Sequence, residues 1–192
     1  NKDGLARGLN NIGIIYEYKG ETDIALDYYE RSLKIAENLN EKRMLAPISN
    51  LGDIYFTKRD ISKAFDYFKR ALKISEKFGQ KQSIGHHLNK FGIIYSDKGD
   101  YDLALNYYER SLTIAEELSN KFHIGWHLVS IGYIYLRRSE YDRALKYFDK
   151  SLKIREEINH KQGIGFSLNS IGVLYYYKGD YEKAVKYLKK FF

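Results

Sequence analysis

A period of 40 residues governs this chain and limits the fold before any other property is weighed. Aligning on a glycine ahead of a tyrosine gives Gly13, Gly52, Gly92, Gly132 and Gly172, at spacings of 39, 40, 40 and 40. Three residues after each stands Tyr16, Tyr55, Tyr95, Tyr135 or Tyr175, and nine further on Ala25, Ala64, Ala104, Ala144 or Ala184. A second tyrosine follows (Tyr28, Tyr67, Tyr107, Tyr147, Tyr187), and next to it Tyr29, Phe68, Tyr108, Phe148 or Leu188.

Each unit reads as two helices. Leu9, Ile12, Gly13 and Tyr16 recur at three- and four-residue spacing, which marks one buried stripe of a helix. Lys19-Gly20-Glu21, Lys98-Gly99-Asp100 and Lys178-Gly179-Asp180 supply a turn, in which glycine takes the left-handed conformation and the acid caps the next helix. Ala25, Tyr28, Tyr29, Ser32, Leu33 and Ala36 form the inner face of the second helix. Gly13 and Ala25, with their equivalents, are expected where the two helices approach closely. The sole proline, Pro47, is expected in or near the first turn of its helix, where a missing N–H costs little.

Composition removes several function classes. There is no Cys, hence no disulfide, thiolate nucleophile or thiolate metal site. No apolar run approaches the roughly 18 residues of a spanning helix, so a cytoplasmic protein without a membrane partner is expected. His123 and His127 have the four-residue spacing of a metal pair, but no glutamate completes an HExxH motif. The five histidines (His86, His87, His123, His127, His160) therefore read as exposed helix-end residues. With no Gly-Lys-Ser phosphate loop and no nucleophile elbow, neither an enzyme nor a bound cofactor or metal is expected.

The succession apolar–Gly–x–x–Tyr, then Ala, then aromatic, then a small residue, met in all five units, resembles the tetratricopeptide repeat (TPR) family. Leu9, Ile48, Leu88, Leu128 and Leu168 stand where that family often has Trp, and its late Pro is absent. The unit is also longer than the family's usual repeat of about 34 residues, and in this it resembles Pins-type scaffolds, kinesin light chains and prokaryotic TPR regulators. The resemblance implies an all-α, right-handed superhelical solenoid of five helix-turn-helix units and ten helices. It implies a single array over 1–192, with repeats near 5–43, 44–83, 84–123, 124–163 and an incomplete 164–192. It also implies first helices that line the inside of the coil and bind a protein or peptide. Asn1 to Leu5 match the linker His160 to Ile164, and Phe192 matches Leu33, so the array is expected to be a fragment without a polar cap. Its end at Tyr187, Leu188, Phe191 and Phe192 is expected to pair with another copy.

On the first helices, positions −6, −3, −2, +1, +4 and +5 from the repeat glycine make up the face left for a partner. Two features mark it. Five amides lie there, Asn10, Asn11, Asn50, Asn89 and Asn169, each with a donor and an acceptor for the backbone of an extended peptide; the plainer alternative is a small polar residue on a wet helix. The second feature is aromatic. Fifteen of the nineteen tyrosines belong to the repeat framework, and the other four, Tyr18, Tyr133, Tyr176 and Tyr177, share this face with Trp126 and Phe166. Rings that no packing rule demands are candidate anchors for a ligand; the plainer alternative is that some of them cover neighbouring helices or a further repeat.

The charges on the same face cancel: Arg7, Lys90 and Arg137 against Glu17, Asp53 and Asp97. The formal net charge of +7 therefore lies elsewhere, and with no track of cations for phosphates no nucleic-acid partner is expected. Of the Lys, Asn and Arg set with which chaperone-binding TPR members grip a C-terminal carboxylate, two cations are lost, and that ligand is not expected. The expectation is a groove with an amide-lined first half and an aromatic second half, holding about twelve residues of extended peptide. A self-assembling array and a sensory segment of a larger regulator are the rival readings.

Overall fold

The structure, a computed structural model, describes residues 1–190. Ten α-helices account for nearly all of them: α1 (Lys2–Tyr18), α2 (Thr22–Glu37), α3 (Glu41–Thr57), α4 (Ile61–Lys77), α5 (Lys81–Asp97), α6 (Tyr101–Glu117), α7 (Lys121–Arg137), α8 (Tyr141–Glu157), α9 (Lys161–Tyr177) and α10 (Tyr181–Lys189). Consecutive helices pair as helix-turn-helix hairpins, as the period requires. None is long and apolar enough to cross a membrane, among the described residues.

The turns explain the one irregular spacing. After α1, the Gly20 and Glu21 amides donate to the carbonyls of Glu17 and Tyr16, both at 2.9 Å, with Gly20 at φ 79°. Gly99 and Gly179 repeat that conformation, and Arg59, Ser119, Ser139 and Asn159 adopt it without being glycine, each at a cost of about 1–2 kcal/mol. The turn after α2 has no such residue. There the Asn38 and Leu39 backbone amides donate to the carbonyls of Ile35 and Ala36, at 3.2 and 3.0 Å. Helix α2 has 16 residues where α1 and α3 have 17, so the missing residue behind the spacing of 39 is absorbed at its C-terminal end.

Asp60, Asp100 and Asp180 cap the following helices by accepting from the amides of Lys63, Leu103 and Lys183 at 3.1–3.2 Å. Glu21, expected to do the same, makes no such bond; its extra methylene carries the carboxylate past the amide. Pro47 also departs from expectation. It lies inside α3, well past the first turn, and is buried, so the Arg43 carbonyl loses its intrahelical donor.

The repeat glycine has a steric cause. A Cβ on Gly13, Gly52, Gly92 or Gly132 would lie 2.5–2.6 Å from a ring carbon of Tyr29, Phe68, Tyr108 or Phe148. The second helix pushes its most buried ring against the backbone of the first, and only glycine leaves the space. Beside that contact the two invariant tyrosines of each repeat stack face to face: Tyr16–Tyr28, Tyr55–Tyr67, Tyr95–Tyr107, Tyr135–Tyr147 and Tyr175–Tyr187, with centroids 5.4–5.5 Å apart. Cations close the stacks, such as Lys63 over Tyr55 at 4.8 Å and Arg143 over Tyr135 at 5.5 Å.

The chain divides into two compact units, Asn1–His87 and the part from Leu88 onward, with the division inside α5. Tyr29, Ile48, Leu51, Ile54 and Ile74 anchor the core of the first unit. The second has two clusters, one around Tyr108, Ile131 and Ile134, the other around Phe148, Ile171 and Leu174. Helix α1 departs from the pattern: Ile12 and Ile15 are 37% and 56% exposed, whereas Leu51 and Ile54 at the same places of α3 are buried. No described helix precedes α1 to cover them. Tyr187 and Leu188 are half-buried, and Phe191 and Phe192 lie outside the described residues.

Candidate functional site

The first-helix faces of the two units differ in chemistry. In the first unit, Asn10 is buried rather than free, and its Oδ1 accepts from Asn50 Nδ2 at 2.9 Å. This part of the expected amide row is closed on itself. Asn11 is exposed and Asn50 half-buried. Asn50 also lines a polar cleft with Lys42, Arg43, Ser49, Asp53 and His86. Across it His86 Nε2 stands 3.4 Å from Asp53 Oδ2. Glu17, on the same face of α1, accepts from the buried Tyr29 hydroxyl at 2.7 Å, and burial together with that carboxylate pushes the Tyr29 pKa upward.

Two histidines overturn the helix-end reading. His87 and His127 are buried where α5 and α7 meet their neighbours. His87 Nε2 lies 2.9 Å from Ser49 Oγ, and His127 Nε2 lies 3.1 Å from Ser111 Oγ. Burial, with the His123 ring stacked at 6.2 Å, brings the His127 pKa down to about 4. The same repeat position carries Gly8, Pro47 and Ser167 in the other units, so the period alone does not reveal that it points inward.

In the second unit, Asn89 and Lys90 on α5 are half-buried. Trp126 of α7 and Phe166 of α9 are 38% and 36% exposed, with ring centroids 5.2 Å apart. Phe122 extends this surface, 6.4 Å from Trp126 and 5.1 Å from His160. Tyr133 belongs partly to the scaffold: its ring lies 5.2 Å from that of Phe148, and its hydroxyl accepts from Ser170 Oγ at 3.1 Å. Tyr176 and Tyr177 project from the end of α9, 60% and 62% exposed. Arg137 is exposed and Asn169 half-buried. Val129, Leu136 and Ser170, placed on the partner face by position, are buried. Val129 and Leu136 pack with Ile171 and Leu174 of the next first helix, so the open stripe is narrower than six positions.

The residue that position counting misses is Arg155, on α8, where the other second helices carry Ala36, Ser75 and Ala115. It is 1% exposed. Its Nη1 donates to the Gly163 carbonyl at 2.8 Å and to Ser167 Oγ at 3.1 Å. Its Cζ sits 4.9 Å from the Trp126 ring and 5.6 Å from that of Phe166. An arginine in a register of small residues, eight before an extra glycine, was the available signal. Among the described residues, no three His, Cys, Asp or Glu side chains are placed to hold a metal ion.

Helical hairpins repeated in register, each leaving part of its first helix uncovered, define a repeat protein of the interaction class. The comparisons make the family definite. A profile described as "Tetratricopeptide repeat" matches residues 43–117, 83–157 and 123–190, and a second of the same description matches 6–39. The chain belongs to the tetratricopeptide repeat family, whose fold is that of a protein-interaction module. Its fold is similar to that of BtubC (BKLC) from P. vanneervenii, with TM-score 0.85, 19% identity, and coverage of 99% of this chain and 79% of that one. It is also similar to a signal-transduction ATPase (STAND protein) with a tetratricopeptide repeat sensor from Pyrococcus horikoshii, with TM-score 0.85, 22% identity, and coverage of 97% and 28%. A Rap protein complexed with competence and sporulation factor gives TM-score 0.79, 20% identity, and coverage of 95% and 51%. No curated protein sequence matches the chain significantly.

Proposed function

We propose that the chain binds an extended peptide or partner helix on its first-helix faces, with the Trp126–Phe166 pair as principal anchor. The observation that carries this reading is the pair itself. Two large rings from successive first helices lie 5.2 Å apart and stay more than a third exposed, although burying them would release free energy. Tyr176, Tyr177 and Arg137 extend the contact along the second unit, with Asn89, Lys90 and Asn169 as polar partners. In the first unit Asn11 and Asn50 offer amides to a peptide backbone. The Rap protein of similar fold is complexed with competence and sporulation factor, which is in keeping with a binding role for this fold.

Trp126 is the sole tryptophan, so its emission reports directly on the site. Screening the chain against a library of peptides about twelve residues long is expected to yield ligands that shift that emission. Trp126→Ala with Phe166→Ala should then weaken the selected peptide by about 100-fold in calorimetry, with far-UV dichroism unchanged. Equal affinity in the double variant removes the anchor role.

Self-association is the second reading, favoured by the exposed Leu5, Ile12 and Ile15 of α1, which repeat the pattern that other first helices bury against a neighbour. The occupant would be a second copy. Light scattering should then show mass rising with concentration for the wild type and a constant monomer mass for Ile15→Glu. A wild-type monomer at every concentration rejects it.

A further inference from the structure

Arg155 is the one formally charged side chain, among the described residues, that the fold buries almost completely. Nothing negative pays for it: no carboxylate pairs with it, Nη1 has only the neutral acceptors of Gly163 and Ser167, and Nη2 has no hydrogen-bond partner. A buried cation without an anion is unfavourable, and ring faces offset only part of the cost. The surroundings are nevertheless shaped to hold it. A Cβ on Gly163 would lie 2.7 Å from Arg155 Cδ, and one on Gly125 would lie 3.0 Å from its Nε. What stands over the guanidinium is the half-exposed Trp126–Phe166 pair.

We propose that Arg155 is an anchor for a carboxylate of the bound peptide, reached when the Trp126 and Phe166 side chains turn aside and the carboxylate accepts from the free Nη2. The inference rests on the peptide-binding reading above and deepens it by naming the ligand chemistry: an acidic group next to an apolar or aromatic one. A carboxylate supplies the acceptors and the charge that the scaffold withholds, and a charge-assisted bond in a dry site is stronger than one at the surface. The anchor lies on a second helix. It is therefore separate from the first-helix cations that chaperone-binding relatives use.

The test uses three small probes at matched ionic strength, read by Trp126 emission: N-acetylphenylalanine, its amide, and N-acetyl-aspartyl-phenylalaninamide. At least one acid is expected to saturate the chain at a concentration about tenfold lower than the amide. In Arg155→Met acids and amide should bind alike. Preference for the first acid assigns the site to a C-terminal carboxylate, and preference for the second to an acidic side chain. Equal binding of acids and amide by the wild type overturns the inference, as does a preference that survives in Arg155→Met. Saturation by none of the three also overturns it; the library screen alone then decides the peptide-binding reading. Should Arg155→Met fail to fold by far-UV dichroism, Arg155→Gln, which keeps a donor for the Gly163 carbonyl, carries the same comparison.

Discussion

Replacing Phe148 with Ala is expected to destabilise the second unit by about 3–5 kcal/mol, and the glycine facing it shows why. Phe148 is fully buried, its ring 5.2 Å from that of Tyr133 and pressed on the backbone of α7 at Gly132. The reciprocal change, Gly132→Ala, separates two opposed effects. In an open helix it would gain about 1 kcal/mol from propensity. Here the new methyl would stand 2.5 Å from Phe148 Cε1, and overpacking of a rigid buried ring costs about 1–3 kcal/mol. A net loss is therefore expected, measured as a lower urea midpoint by far-UV dichroism. Combining the two changes should cost less than their sum, because the methyl added to α7 refills space the ring vacates. A higher midpoint for Gly132→Ala alone would show that close approach is not why glycine stands there.

Acid is the second lever. The His127 pKa falls from the ordinary 6.5 to about 4 in the folded chain, first by burial and then by repulsion from His123. Between those values the unfolded chain takes up a proton that the folded chain refuses, so stability falls as pH drops from 6.5 and is intact above it. The loss reaches about 3 kcal/mol by pH 4. His127→Gln keeps a polar partner for Ser111 and removes the titration. Urea midpoints at pH 7 and pH 4 should fall further for the wild type than for this variant, and parallel curves would exclude His127 as the cause.

The fold was legible because its cause is periodic. Glycine, alanine and the paired aromatics recur every 40 residues, and steric demands that recur identically leave an identical trace. The candidate site was legible only in part. Trp126, Phe166, Tyr176 and Tyr177 were found by subtraction, as rings the repeat does not require, and they are exposed. Asn10, Val129, Leu136 and Ser170 had the same positional claim but are buried, because the width of an open stripe depends on how near the adjacent first helix lies. The stacking of Tyr16 on Tyr28 and its four counterparts follows from the hairpin geometry. Position alone gave each tyrosine a place but no partner.

From the amino acids alone came the ten helices, their pairing into hairpins, the glycine turns and the family, since each rests on contacts made within one repeat. The inward aim of His87 and His127 and the burial of Arg155 beneath Trp126 and Phe166 were decided by packing between repeats. There a side chain's surroundings come from residues some 12 to 40 positions away, such as Asn10 with Asn50 or Arg155 with Ser167, and no local pattern encodes which of them will be near.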